Sequence, residues 1–76
     1  MHITIRDINN HEYTFEVKNT DNIMTLKAMI EFKTGIPPSD QRLIYRARQL
    51  DDKETISDSN ILHNSIVHMT QRIRGC

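Results

Sequence analysis

The chain predicts an α+β domain in which one helix crosses a mixed sheet, in the order ββαββ. Three observations carry that expectation. Two stretches near the start alternate apolar and polar residues at the period of a strand, one stretch in the middle repeats at the spacing of a helix, and the second half returns to alternation. A single helix can cover only one sheet face, which excludes a doubly wound α/β arrangement.

In the first strand Met1, Ile3 and Ile5 alternate with His2, Thr4 and Arg6; in the second, Tyr13, Phe15 and Val17 alternate with Glu12, Thr14, Glu16 and Lys18. Asp7-Ile8-Asn9-Asn10 joins them, and asparagine tolerates the left-handed backbone that a tight hairpin loop needs. The polar cluster at 19–22 offers caps for a helix over 23–33, and Gly35 with Pro37-Pro38 offers the stop. Ile23, Leu26 and Ile30 share a face expected to lie on the sheet, while Met24, Ala28 and Phe32 form a second stripe turned away from it. Residues 41–46 read as a third strand, Ala47-Arg48 as a turn and Gln49-Leu50 as a short return strand. The acidic run 51–59 reads as a loop anchored by Ile56. In the closing strand, 65–71, Val67 and Met69 alternate with His68 and Thr70; it is expected between the hairpin and the third strand, parallel to the first. Residues 1–71 are thus expected to form the domain, and 72–76 a flexible tail.

Bulk properties narrow the function. At 76 residues and 8.9 kDa there is room for one core and none for a deep catalytic cleft beside it, so no enzyme and no cofactor are expected. Ten basic and ten acidic residues cancel and the pI is about 6.9, which points to protein partners rather than nucleic acid or a membrane surface. A monomer is expected. One cysteine allows no internal disulfide, and no long apolar run follows the start, so a cytoplasmic and nuclear location is expected. His2, His11, His63 and His68 are not spaced like a metal site, and Cys76 on a chain end has neither fixed base nor oxyanion hole.

Gly35-Ile36-Pro37-Pro38, Gln41-Arg42-Leu43-Ile44-Tyr45, Gln49-Leu50-Asp51-Asp52, Ser57-Asp58, Asn60-Ile61 and Arg72-Ile73-Arg74-Gly75 follow one another in spaced blocks. Together they resemble the ubiquitin family across the chain. The resemblance implies a β-grasp fold and one of two functions. The first is a modifier attached through its terminal carboxylate to target amines; the second is a ubiquitin-like domain that is never conjugated. It implies ubiquitin-activating and conjugating enzymes, ubiquitin receptors and the proteasome as partners.

Residue by residue, the resemblance makes Arg72, Ile73, Arg74, Gly75 and Cys76 the conjugation tail. Arg72 points to the ubiquitin branch, since a related modifier group carries a small residue there. Cys76 departs from the family's second glycine, and its Cβ narrows the fit of a tail that must thread a tight channel. Ile8, Ile44 and His68 correspond to the patch that ubiquitin receptors grip, with Arg42, Arg48 and Thr70 around it; Thr70 replaces a valine. Arg42, Arg48, Arg72 and Arg74 are expected to gather with His68 and steer acidic partners. Arg6, His11, Met29, Arg48 and His63 stand where the family has chain-building lysines, which leaves Lys27 and Lys33 as candidate acceptors, Lys27 partly buried. Ser65 matches a phosphorylated serine, and the last strand resembles that of the parkin ubiquitin-like domain. The stripe Met24, Ala28, Phe32 departs from the family's mostly polar outer helix face and is a candidate second patch.

Overall fold

Asp7 closes the first hairpin: its carboxylate Oδ1 accepts the backbone N–H of Asn9 at 2.8 Å and of His11 at 2.9 Å, and Asn10 takes φ 63°. The computed structural model describes residues 1–71, so residues 72–76, expected to be a conjugation tail, lie outside the described residues. From this hairpin the chain builds β1 (His2–Arg6), β2 (Glu12–Glu16), α1 (Ile23–Thr34), β3 (Gln41–Tyr45), β4 (Arg48–Gln49) and β5 (Ile66–Gln71). The sheet order is β2-β1-β5-β3-β4, with β5 parallel to β1 and antiparallel to β3. This is the β-grasp architecture, with the closing strand between the hairpin and the third strand, as expected of a first and a last strand joined by a crossover.

The helix starts where Asn22 caps it, its Oδ1 accepting the N–H and the hydroxyl of Thr25, each at 2.8 Å. It stops at Gly35, whose φ of 80° is open to glycine and whose N–H bonds the Glu31 carbonyl at 2.7 Å. Ile23, Leu26 and Ile30 are fully buried on the sheet beside Ile3, Ile5, Leu43, Ile56 and Val67. Each such side chain contributes about 1.5–3 kcal/mol by leaving water, which makes this layer the main source of stability in a chain without a disulfide.

Three local expectations are corrected. The third strand ends at Tyr45, and the two-residue turn is Arg46-Ala47, both at positive φ (54° and 63°), so the return strand is Arg48–Gln49 rather than Gln49-Leu50. Leu50 instead enters the core, its N–H bonded to the Leu43 carbonyl at 2.8 Å. A short 3-10 turn over Pro38–Asp40, unforeseen in the sequence reading, leads into β3. The run 51–59 has more than one anchor: beside buried Ile56 and Ser59, Ile23 N–H bonds the Glu54 carbonyl and Ile56 N–H the Asp21 carbonyl, each at 2.8 Å.

Candidate functional site

Strand register assembles the outward face of the sheet. Ile44 on β3 pairs with His68 on β5, which pairs with Arg6 on β1; on the other side Ile44 pairs with Gln49. One step along, Arg42 pairs with Thr70. Because paired residues point to the same side, Arg6, His68, Ile44 and Gln49 form one row and Arg42 and Thr70 the next. Ile44 and Thr70 are half-buried, and Arg42 and His68 are exposed. Ile8 stands in the loop two residues beyond Arg6, 73% exposed.

That loop is set by electrostatics as well as by turn chemistry. Desolvation would raise the Asp7 carboxyl, but the N–H donors of His11 and Asn9 and the His11 ring outweigh it and hold it below the ordinary range. Ile8 is therefore presented by an ionised turn.

The structure removes Arg48 from the arginine grouping. Arg48 pairs with Tyr45, so it points to the other side from Gln49, and its guanidinium grips Glu54 at 2.7 and 3.0 Å. Those hydrogen bonds, with the Asp51 N–H at 2.9 Å and the Ser59 hydroxyl at 3.0 Å, push the Glu54 carboxyl down to about 2 against the opposing effect of desolvation. Arg6 is likewise engaged, with Glu12. Arg46 stacks over the Tyr45 ring at 5.4 Å, in the turn rather than on the strand face. Arg42 is thus the arginine beside Ile44 that carries no ion pair among the described residues; Arg72 and Arg74 lie outside them.

Two neighbours escaped the sequence reading. Ile66, 39% exposed, shares the outward parity of His68 and Thr70 and pairs with Thr4, which adds an apolar side chain to the face. Gln49 joins through the turn correction. Strand parity alone carried the signal for Ile66.

Of the two candidate acceptor lysines, Lys27 is buried at 6% exposure with its ammonium on the Asp52 carboxylate, whereas Lys33 is exposed. Lys27 must leave that ion pair before it can act as an amine nucleophile. Ser65 is half-buried, its hydroxyl 3.1 Å from Tyr45 Oη and accepting the Leu62 N–H at 3.0 Å. On the outer helix face Phe32 is 95% exposed and Met24 44%, with exposed Ala28 between them. Among the described residues no group of three or more His, Cys, Asp or Glu is placed to hold a metal, although folding brings the His2 and His63 rings to 5.7 Å.

The family profile described as "Ubiquitin family" matches residues 3–74. The chain belongs to the ubiquitin family. Its similarity to curated ubiquitin-like modifiers spans nearly all of both chains. It is 35% identical over 75 residues to the NEDD8-like protein RUB1 of Saccharomyces cerevisiae, covering 99% of this chain and 97% of that protein. The Ubiquitin-like protein NEDD8 of Dictyostelium discoideum is also 35% identical over 75 residues, covering 99% of this chain and 97% of that protein. A second kind of ubiquitin-family relative is much longer: the UV excision repair protein RAD23 homolog of Dictyostelium discoideum is 38% identical over 69 residues, 91% of this chain and 20% of that one. Arg72 points to the ubiquitin branch by resemblance, whereas these two relatives matched along the whole chain carry NEDD8 names.

Proposed function

We propose that this chain is a ubiquitin-like modifier, attached to target proteins through Arg72, Ile73, Arg74, Gly75 and Cys76 and read by receptors through the face centred on Ile44. The observation that carries the reading is the family match, which runs through the last strand and into the tail as far as residue 74. Ubiquitin-type activating and conjugating enzymes are its partners, with receptors that seat an apolar side chain on Ile44 and Ile66 beside Arg42 and His68. Delivery to the proteasome, a cytoplasmic and nuclear location, Lys33 as the accessible acceptor and Ser65 as a phosphorylation site belong to the same reading. No catalytic role is assigned to any residue.

A second reading, a ubiquitin-like domain that is never conjugated, is favoured by the likeness to the RAD23 homolog, where the matching segment is 20% of a longer protein. One experiment separates the two. The full chain and its Cys76→Gly variant are incubated with ATP and a ubiquitin-activating enzyme, and in parallel with the activating enzyme of a NEDD8-type modifier. A reducible thioester band is expected for the glycine variant, weaker or absent for Cys76, because a Cβ at the last position crowds the tail where glycine has none. No thioester with either chain and either enzyme would sink the modifier reading.

A further inference from the structure

The sheet has two edges, and they differ. β4 is a two-residue strand, which offers little to a partner, whereas β2 runs five residues, Glu12–Glu16, with β1 on one side and no strand on the other among the described residues. Which backbone groups of β2 face that open side follows from the ladder. Met1 and Val17 exchange both hydrogen bonds, at 2.9 and 2.8 Å, so they are a bonded pair. Bonded and non-bonded pairs alternate along an antiparallel ladder, which makes Ile3 with Phe15 and Ile5 with Tyr13 bonded pairs as well. The same parity appears on the far side of β1, where the Thr4 N–H turns to the Ser65 carbonyl at 2.9 Å. Glu12, Thr14 and Glu16 therefore aim their N–H and C=O groups away from β1, at the open edge.

Side chains define what could pair there. Glu12, Thr14 and Glu16 stand on the outward sheet face, all exposed, with the Glu16 side chain 80% and the Glu12 side chain 49% accessible. Tyr13 and Phe15 point to the helix side and are half-buried. Edges of this kind are blunted by charged side chains, lysine above all, or by proline; β2 has neither lysine nor proline, and its charges are the two glutamates, which repel an acidic strand and not a basic one. A second copy of β2 fits poorly. Antiparallel pairing about Thr14 sets Glu12 against Glu16 at both ends, and parallel in-register pairing sets each glutamate on its like.

We infer that the free edge of β2 is a docking site for an extended segment of a partner protein that alternates basic and apolar side chains, added as a sixth strand. Its backbone bonds Glu12, Thr14 and Glu16, its apolar side chains lie beside Tyr13 and Phe15, and its cations lie beside Glu16, whose Oε1 is 3.5 Å from the His2 ring, and beside the Glu12 Oε1 that Arg6, held on Oε2, does not take. β1 and β5 separate this edge from Ile44 on β3, so occupation of one surface leaves the other open. The inference depends neither on the tail nor on conjugation.

The test uses the full chain, isotope-labelled and kept reduced, titrated with the acetylated and amidated peptide Lys-Ile-Arg-Ile-Lys while backbone amide shifts are followed. Saturable shifts are expected on 12–16 and the adjoining helix side, and none with Glu-Ile-Glu-Ile-Glu. Thr14→Pro deletes an N–H that points to solvent and leaves the β1 ladder intact. It is expected to weaken peptide binding by about tenfold, the scale of one lost hydrogen bond. A charge reversal, Glu12→Lys with Glu16→Lys, is expected to swap the preference to the acidic peptide and serves if the proline variant does not fold. Shifts that map to Ile44 and His68, equal binding of both peptides, or shifts on β2 that grow with protein concentration and no peptide would each overturn the inference.

Discussion

Glu54 receives hydrogen bonds from two guanidinium nitrogens of Arg48, the Asp51 amide and the Ser59 hydroxyl, and all four favour its charged form. Its carboxyl lies at about 2 in the folded chain against an ordinary 4.5. A depressed folded value means that the unfolded chain binds the proton more readily. The linked stability is therefore present in full above about 4.5 and is lost as the pH falls through about 2. The urea midpoint of the native chain is expected to drop across this window, and Glu54→Gln to flatten the drop. Part of the slope persists in the variant because Asp7 is depressed in the same direction. Parallel profiles for the two chains would show that the linkage resides elsewhere. At neutral pH the pair lies at the surface, with Arg48 exposed and Glu54 half-buried, and its role there is to hold Arg48 against the 51–59 loop.

At the scale of elements, the β3–β4 turn is where local chemistry and geometry disagree. Arg46 and Ala47 both take positive φ, the pattern of a primed two-residue turn, yet neither is glycine, asparagine or aspartate. Left-handed backbone costs an alanine about 1–2 kcal/mol, and glycine's extra freedom when unfolded returns roughly 0.5–1. Ala47→Gly is expected to stabilise the chain by about 0.5–1 kcal/mol, read as a higher urea midpoint at unchanged slope. A lower midpoint would mean that the turn relaxes without strain.

The same residues explain what could be read in advance. Asn22 and Gly35 mark the helix ends because capping is local, and alternation places β1, β2, β3 and β5 because one face of each turns to the core, buried in β1, β3 and β5 and half-buried in β2. The turn Arg46-Ala47 carries no turn residue, so composition sets it one position late and hides the pairing of Gln49 with Ile44. The engagement of Arg48 by Glu54 was hidden because a loop-to-strand ion pair has no periodicity. Ile66 lay within reach of parity, two positions before His68.

For the molecule as a whole, two layers divide the apolar residues into those that hold the fold and those left for partners. Ile30 is 0% exposed and Phe32, two positions on in the same helix, is 95% exposed. A helix turns by about 100° per residue, so this short step crosses from the face on the sheet to the face in water. Ile30→Ala removes packed volume beside the sheet and is expected to cost about 2–5 kcal/mol. For a small domain that is a large share of the total, so the variant is expected to unfold at far lower urea with the same cooperative slope. Phe32→Ala removes more atoms from a surface already in water and is expected to shift stability by no more than about 0.5 kcal/mol. Comparable losses in the two variants would place Phe32 in a packed layer of the monomer. Unequal losses in the expected order would leave the stripe Met24, Ala28, Phe32 as apolar surface that this domain carries without using it to fold.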